Sequence, residues 1–263
     1  MLKWKLRKSL TTTIAIAKLN ISSQFNDSAL GFYWLFLSPF FTLCAYILAF
    51  SFVFSGRWES SGYSSLGEFI VFLYSGMLVL NAFSEVVSQS AGLYFENPNY
   101  IKKILFPLEV LNGTVLVKTT LGLVFGSVLL VLLSIINMGH LPNVLILYGL
   151  ILPPFIIFLY GLSICISTIG LFLTDLKHST GMLTHLALFL SPVFYSIKDV
   201  PEPIVYILKL NPLVYTIELI REVVFKQNIS FDHIMISWVF SILVACCGIY
   251  IHKALKLKFA DAL

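Results

Sequence analysis

No Asp, Glu, Lys or Arg occurs between Lys118 and Asp175. A soluble domain of that length would place charges on its outer faces, so the run reads as two membrane-crossing helices, about Val117–Asn137 and Val144–Thr174. They fold back on each other at MGHLPN, where Gly139 and Pro142 mark a tight turn. The rest of the chain agrees: 58% of the 263 residues are hydrophobic and 11% are charged, against roughly 25% charged in soluble domains. Four further apolar stretches, about Gly31–Phe54, Glu68–Ser90, Thr180–Tyr195 and His233–His252, bring the expected number of spans to six. The fold expected is an all-α integral membrane protein with a single domain over 1–263.

Lysine and arginine set the expected orientation. Lys3, Lys5, Arg7, Lys8 and Lys18, then Lys102 and Lys103, Lys177, and finally Lys253, Lys256 and Lys258 fall on one side of the spans. The other side holds Arg57, Lys198, Lys209, Arg221 and Lys226, the last four interleaved with acids. Both termini are therefore expected to be cytoplasmic. The first 29 residues place Leu6, Leu10, Ile14 and Ile16 among basic residues, a pattern suited to an amphipathic helix lying in the inner headgroup layer. A solvated basic tail is the plainer alternative.

Residues 191 to 231 are too apolar for a free loop and are broken by Pro192, Pro201, Pro203 and Pro212. Irregular backbone at membrane depth survives only where protein or a water-filled cavity satisfies it. The segment is therefore expected to be a re-entrant hairpin on the outer side, turning at Asn211-Pro212, between the fifth and sixth spans.

No phosphate loop of the form G-x-x-x-x-G-K-[ST], no H-E-x-x-H and no G-x-S-x-G occurs in the chain. Cys44, Cys165, Cys246 and Cys247 all lie in apolar runs and read as small hydrophobes. Ionisable groups within the spans are few. Glu85 and His185 are the candidates for a function such as proton coupling, with helix packing as the plainer role; Lys118 is expected to snorkel to the inner interface. Interfacial belts account for most of the aromatics, while Tyr33, Trp34, Phe36, Phe194 and Tyr195 are candidates for lining a path for a polar glycan. A proton-coupled transporter or channel, and a membrane-embedded glycosyl- or acyltransferase, are the alternatives from other classes; no acidic cluster supports the last.

Four stretches, in order along nearly the whole chain, resemble one family. DSALGFYWLFLSP resembles S-x-L-G-x-x-W-x-x-x-x-P through Ser28, Leu30, Gly31, Trp34 and Pro39. YIKKILFPLEV resembles a basic loop ending in Phe-Pro, LFLTDLKH an acidic turn at Asp175-Leu176, and the segment from Ser191 an S-P-[VI]-x-Y…[VI]-P…N-P-[LM] pattern through Pro192, Tyr195, Pro201, Asn211, Pro212 and Leu213. The pattern is similar to that of the membrane subunits of type-2 ABC exporters, in the branch that exports O-antigen, capsular polysaccharide and teichoic acid. Gln24, Asn26 and Thr174 stand where that family usually has basic residues.

The resemblance implies a homodimer with the translocation path between its two copies, docked on two copies of a separate cytoplasmic ATPase. It implies that this subunit is non-catalytic and binds no cofactor, with ATP and Mg²⁺ held in the partner. A lipid-linked glycan would be the substrate. Residues 92–107 would seat on the ATPase through Tyr100, Lys102, Lys103, Phe106 and Pro107, although the two lysines also fit plain positive-inside anchoring. Glu85 would lie on the path with Tyr33, Trp34, Phe36, Phe194 and Tyr195. The outer gate would comprise Ser191, Pro192, Pro201, Asn211, Pro212, Glu218 and Arg221. Exporters of drugs or small lipids are the nearest alternative, and those often carry a large outer domain where this chain has only about Gly56 to Leu66.

Overall fold

The computed structural model describes residues 13–17, 33–53, 65–101, 107–226 and 228–259. Among them every regular element is helical. α1 spans Trp34–Val53, α2 Leu66–Ala91, α3 Glu109–Met138 and α4 Val144–Phe172. α5 runs Leu176–Phe189, α6 Glu202–Leu208, α7 Pro212–Val224 and α8 Phe231–Leu255. Four helices, α2, α3, α4 and α8, are long and apolar enough to cross a membrane. α1 is an uncharged helix of 20 residues, about 30 Å at 1.5 Å per residue.

Local chemistry fixes the ends. Ser65 Oγ accepts the backbone N–H of Glu68 at 3.2 Å, so Ser65 and Glu68 begin α2 in the S-x-x-E pattern of a capping box. α3 stops at Gly139, whose φ of 68° places it in the left-handed region that ends helices. α4 opens with a π-helical turn at Leu147–Ile151; Pro153 and Pro154 follow and lack the N–H groups that a regular ladder would need there. Asn211 caps α7, its Oδ1 accepting the N–H of Leu213 at 3.0 Å, with Pro212 at the first helical position.

The fifth expected span is shorter than its sequence suggests. α5 has 14 residues, about 21 Å, and the chain leaves the helix before Pro192, as the steric conflict between a proline ring and the preceding residue requires. Beyond it, α6 and α7 meet at 103°, so the expected break at Asn211-Pro212 is a sharp bend between two short apolar helices.

α2 occupies the centre, packed against α3, α4, α5 and α7. Its buried residues join those of α3, α4 and α7 and Val193 in one hydrophobic core. The most extensive helix pair is α4 with α8, and small residues allow it. A Cβ at Gly161 would overlap the backbone of Ala245, and one at Gly248 would overlap the carbonyl oxygen of Gly161. Close approach through small residues is how helices associate where lipid removes the hydrophobic drive. Residues 13–17 form a helical turn whose Thr13 reaches Gly113 on α3.

Gly161→Ala and Gly248→Ala are each expected to destabilise the protein by about 1–3 kcal/mol through overpacking. Gly149→Ala, where nothing lies within 4 Å of the new methyl group, is expected to be neutral. Thermal unfolding of the three variants in detergent checks both statements.

Candidate functional site

Polar groups gather at three places along α2. The first is the end of the bundle at Glu109. Asn112, from the first turn of α3, donates to Ser167 Oγ at 2.7 Å and Ser163 Oγ at 3.0 Å on α4. Ser90 of α2 donates to the same Ser163 at 2.8 Å. Tyr94, in the turn after α2, donates to Asn112 Oδ1 at 2.6 Å and lies 3.4 Å from His252 Nδ1 on α8. His252 Nδ1 is also 3.2 Å from Thr168 Oγ1. All these side chains are buried, and burial holds the Tyr94 phenol well above its ordinary pKa, so it acts as a neutral donor.

Glu109 closes this network. Its Oε1 lies 3.4 Å from His252 Nε2, without hydrogen-bond alignment, and 3.2 Å from Lys256 Nζ. Phe259 packs on both Tyr94 and His252, with ring centroids 5.7 and 5.2 Å away. The turn after α2 is thereby tied to the end of α8. On its other side, Glu96 pairs with Lys177 at the start of α5.

The second place is Arg221 on α7, which is 4% exposed. Its Nη1 donates to Glu218 at 3.0 Å, its Nη2 to the Val193 carbonyl at 3.1 Å and its Nε to Ser75 Oγ on α2 at 3.3 Å. The guanidinium lies 3.5 Å from the centre of the Phe72 ring, a cation–π contact in a desolvated setting. One side chain thus joins α7, the 191–195 segment and α2. Asn211 continues the clamp: its Nδ2 donates to Ser191 Oγ at 2.9 Å and the Leu190 carbonyl at 3.0 Å. Glu222, next to Arg221, accepts from Ser230 N and Oγ and contacts His233 Nδ1 at 2.9 Å, fixing the start of α8. His140, in the α3–α4 turn, reaches the Val224 carbonyl at 2.8 Å.

The third place is the Glu85 pair. Lys118 Nζ on α3 lies 3.4 Å from Glu85 Oε1, and Gln89 Nε2 donates to the same oxygen at 2.8 Å. Lys118 thus turns to a carboxylate instead of snorkelling alone. His185 sits on the exposed side of α5, its Nδ1 2.7 Å from the Gly181 carbonyl, and shares no partner with Glu85.

The remaining expected residues divide by location. Ser191, Pro192, Asn211, Pro212, Glu218 and Arg221 come together, while Pro201 is exposed. Phe194 meets Tyr46 of α1 with ring centroids 5.9 Å apart, and Tyr195 donates to the Phe189 carbonyl at 3.1 Å. Tyr33 and Trp34 are exposed at the start of α1. Tyr100 packs beside Tyr94 and Leu108, and Pro107 is exposed. Lys102, Lys103, Phe106, the Phe36 side chain and the N-terminal segment apart from 13–17 lie outside the described residues. The sequence reading missed Tyr94, Glu109, Asn112 and His252; the available signal was an Asn in an apolar helix facing Ser163 and Ser167, one helical turn apart. Among the described residues no group of His, Cys, Asp and Glu has the arrangement of a metal site.

Four helices long and apolar enough to cross a membrane, with buried polar clamps at both ends and a charged pair between them, define a multi-pass membrane protein. The sequence profile of the ABC-2 type transporter family matches residues 11–225, and the chain belongs to that family. Its relatives include the O-antigen export system permease protein RfbA of Klebsiella pneumoniae, 24% identical over 265 residues that cover 100% of this chain and 98% of that protein. The protein of the same name from Myxococcus xanthus is 22% identical, covering 95% of this chain and 94% of its own length. The polysialic acid transport protein KpsM of Escherichia coli is 23% identical over 83% of each chain.

Removing one partner of a buried ion pair leaves the other charge uncompensated. Arg221→Met is therefore expected to destabilise the protein by about 3–5 kcal/mol, and Arg221→Lys to restore only part of it because an ammonium lacks the planar fork. Asn112→Leu, which strips partners from buried Tyr94, Ser163 and Ser167, is expected to cost about 1–3 kcal/mol. Denaturant unfolding in micelles reads all three.

Proposed function

We propose that this chain is the permease subunit of an ATP-driven exporter that moves a lipid-linked, O-antigen-like polysaccharide across the cytoplasmic membrane. The observation that carries the reading is end-to-end similarity to relatives named as O-antigen export permeases, at 100% coverage of this chain, with the polysialic acid transport protein beside them. The short connection between α1 and α2, 54–64 in the sequence, leaves no room for the outer domain of many drug exporters, which disfavours that alternative.

In this reading the chain crosses the membrane six times. α1 is the first passage, and α5 with residues 190–195 is the fifth. Both termini are cytoplasmic, so the Glu109 end of the bundle faces the ATPase and the Gly139 end faces outward. Two copies form a homodimer and enclose the path, since a closed two-fold pair can build a conduit that one copy cannot. Residues 92–107 seat on the partner ATPase, which holds the ATP and Mg²⁺. Movement there reaches α8 through Tyr94 and His252, and α5 through Glu96 and Lys177. The bent pair α6–α7 is a re-entrant outer gate, clamped shut by Arg221 and Asn211 and shifted between two packed arrangements as ATP binds and is hydrolysed.

Deletion of the gene is expected to abolish surface glycan and to leave lipid-linked polymer inside the cell, with restoration by the wild-type copy. Fractionation and surface labelling of the polysaccharide measure this. Unchanged surface glycan would overturn the polysaccharide assignment and favour drug or lipid export.

A further inference from the structure

Asn81, Ser84, Glu85, Ser88 and Gln89 follow one another at i, i+3, i+4, i+7 and i+8 along α2, the spacing that puts side chains on one helix face. Asn81 and Ser88 are exposed, and Ser84, Glu85 and Gln89 are half-buried. They sit within a helix long and apolar enough to span the membrane, most of which is buried against its neighbours. The open face of that helix is therefore polar. The open faces of α3 and α8 are apolar: Val124, Val128 and Leu132 on α3, and Val239, Ile242 and Leu243 on α8. Polar side chains at membrane depth avoid lipid and turn to protein or water, so the two kinds of face meet different surroundings.

We propose that the α2 stripe is the hydrated wall of the translocation path, along which a hydroxyl-rich chain passes by exchanging hydrogen bonds. This inference rests on the exporter reading above. The chemistry of the stripe suits such a ligand. Lys118 neutralises Glu85 at 3.4 Å and Gln89 occupies the same carboxylate oxygen, leaving a row of amide, hydroxyl and carboxylate groups with little net charge. A surface of that kind gives sugar hydroxyls both donors and acceptors without holding an ion tightly. At Asn81 the stripe borders a narrow and mostly apolar crevice between α1 and α2, where Leu43, Ile47, Leu73 and Met77 stand beside Thr42 and Tyr46. Tyr46 in turn meets Phe194 at the outer segment. Asn81 therefore stands where the polar stripe ends and the apolar packing of α1 on α2 begins.

The test replaces the four native cysteines and introduces Ser84→Cys or Ser88→Cys, near-isosteric changes, with Val128→Cys and Val239→Cys as references. Each variant is assembled with its partner ATPase in lipid nanodiscs, open to solvent on both sides, and exposed to a cationic methanethiosulfonate during ATP turnover. The stripe positions are expected to react at least about tenfold faster than the references, because water is absent from lipid-facing positions. Modified Ser84→Cys is expected to lose glycan export in cells. Equal rates at all four positions would overturn the path. So would slow labelling combined with disulfide formation between two copies, which would make the stripe a dry dimer seam. Fast labelling in a protein whose deletion spares surface glycan would keep the path and overturn the glycan; slow labelling with intact glycan export would do the reverse.

Discussion

Lipid offers no hydrogen bonds, so each polar group inside this bundle must find its partner within the protein or in water that the protein admits. The architecture follows from how that requirement is met at three depths. At the Glu109 end, hydrogen bonds run from Tyr94 to Asn112 and on to Ser163 and Ser167, with His252 Nδ1 beside Tyr94, so that the turn after α2 is joined to α3, α4 and α8. At the other end, Arg221 binds α7 and the 191–195 segment to α2. Between them the polar groups of α2 are only partly covered, and that difference separates the two structural clamps from the stretch assigned to transport.

α2 takes part in all three. Ser90 joins the Glu109 network, Glu85 the central pair, and Ser75 and Phe72 the Arg221 clamp. In the proposed cycle a shift of this helix would move both ends together, because packed interfaces change between discrete arrangements more readily than they deform. The Glu109 network links the turn after α2 to α8, and Glu222 links α7 to the start of the same α8. Two helices therefore connect the ATPase side to the gate side in the proposed orientation, and α8 packs against α4 over a seam of small residues.

Much of this was legible in the sequence, for identifiable reasons. Long charge-free runs and the Gly139 turn define α3 and α4 because a span has a minimum length and a helix end has its own chemistry. Prolines with nearby charges marked the segment that Arg221 and Asn211 hold. The length of α5 was not legible: hydropathy continued to Tyr195, whereas backbone sterics before Pro192 ended the helix at Phe189. Nor was the Asn112 network, since single polar residues in separate spans leave no periodic signature and acquire meaning only when helices pack. The α2 stripe was periodic in the sequence; its exposure became visible only once the packing of the other faces was known.

Reconstitution tests the account most directly. The permease and its partner ATPase are placed in proteoliposomes containing lipid-linked polysaccharide, and the glycan that becomes accessible to an enzyme on the far side is measured. ATP-dependent transfer of the polymer, absent when either subunit is omitted, is the predicted result. Transfer that proceeds without ATP, or ATP hydrolysis that moves a small lipid and leaves the glycan in place, would contradict it.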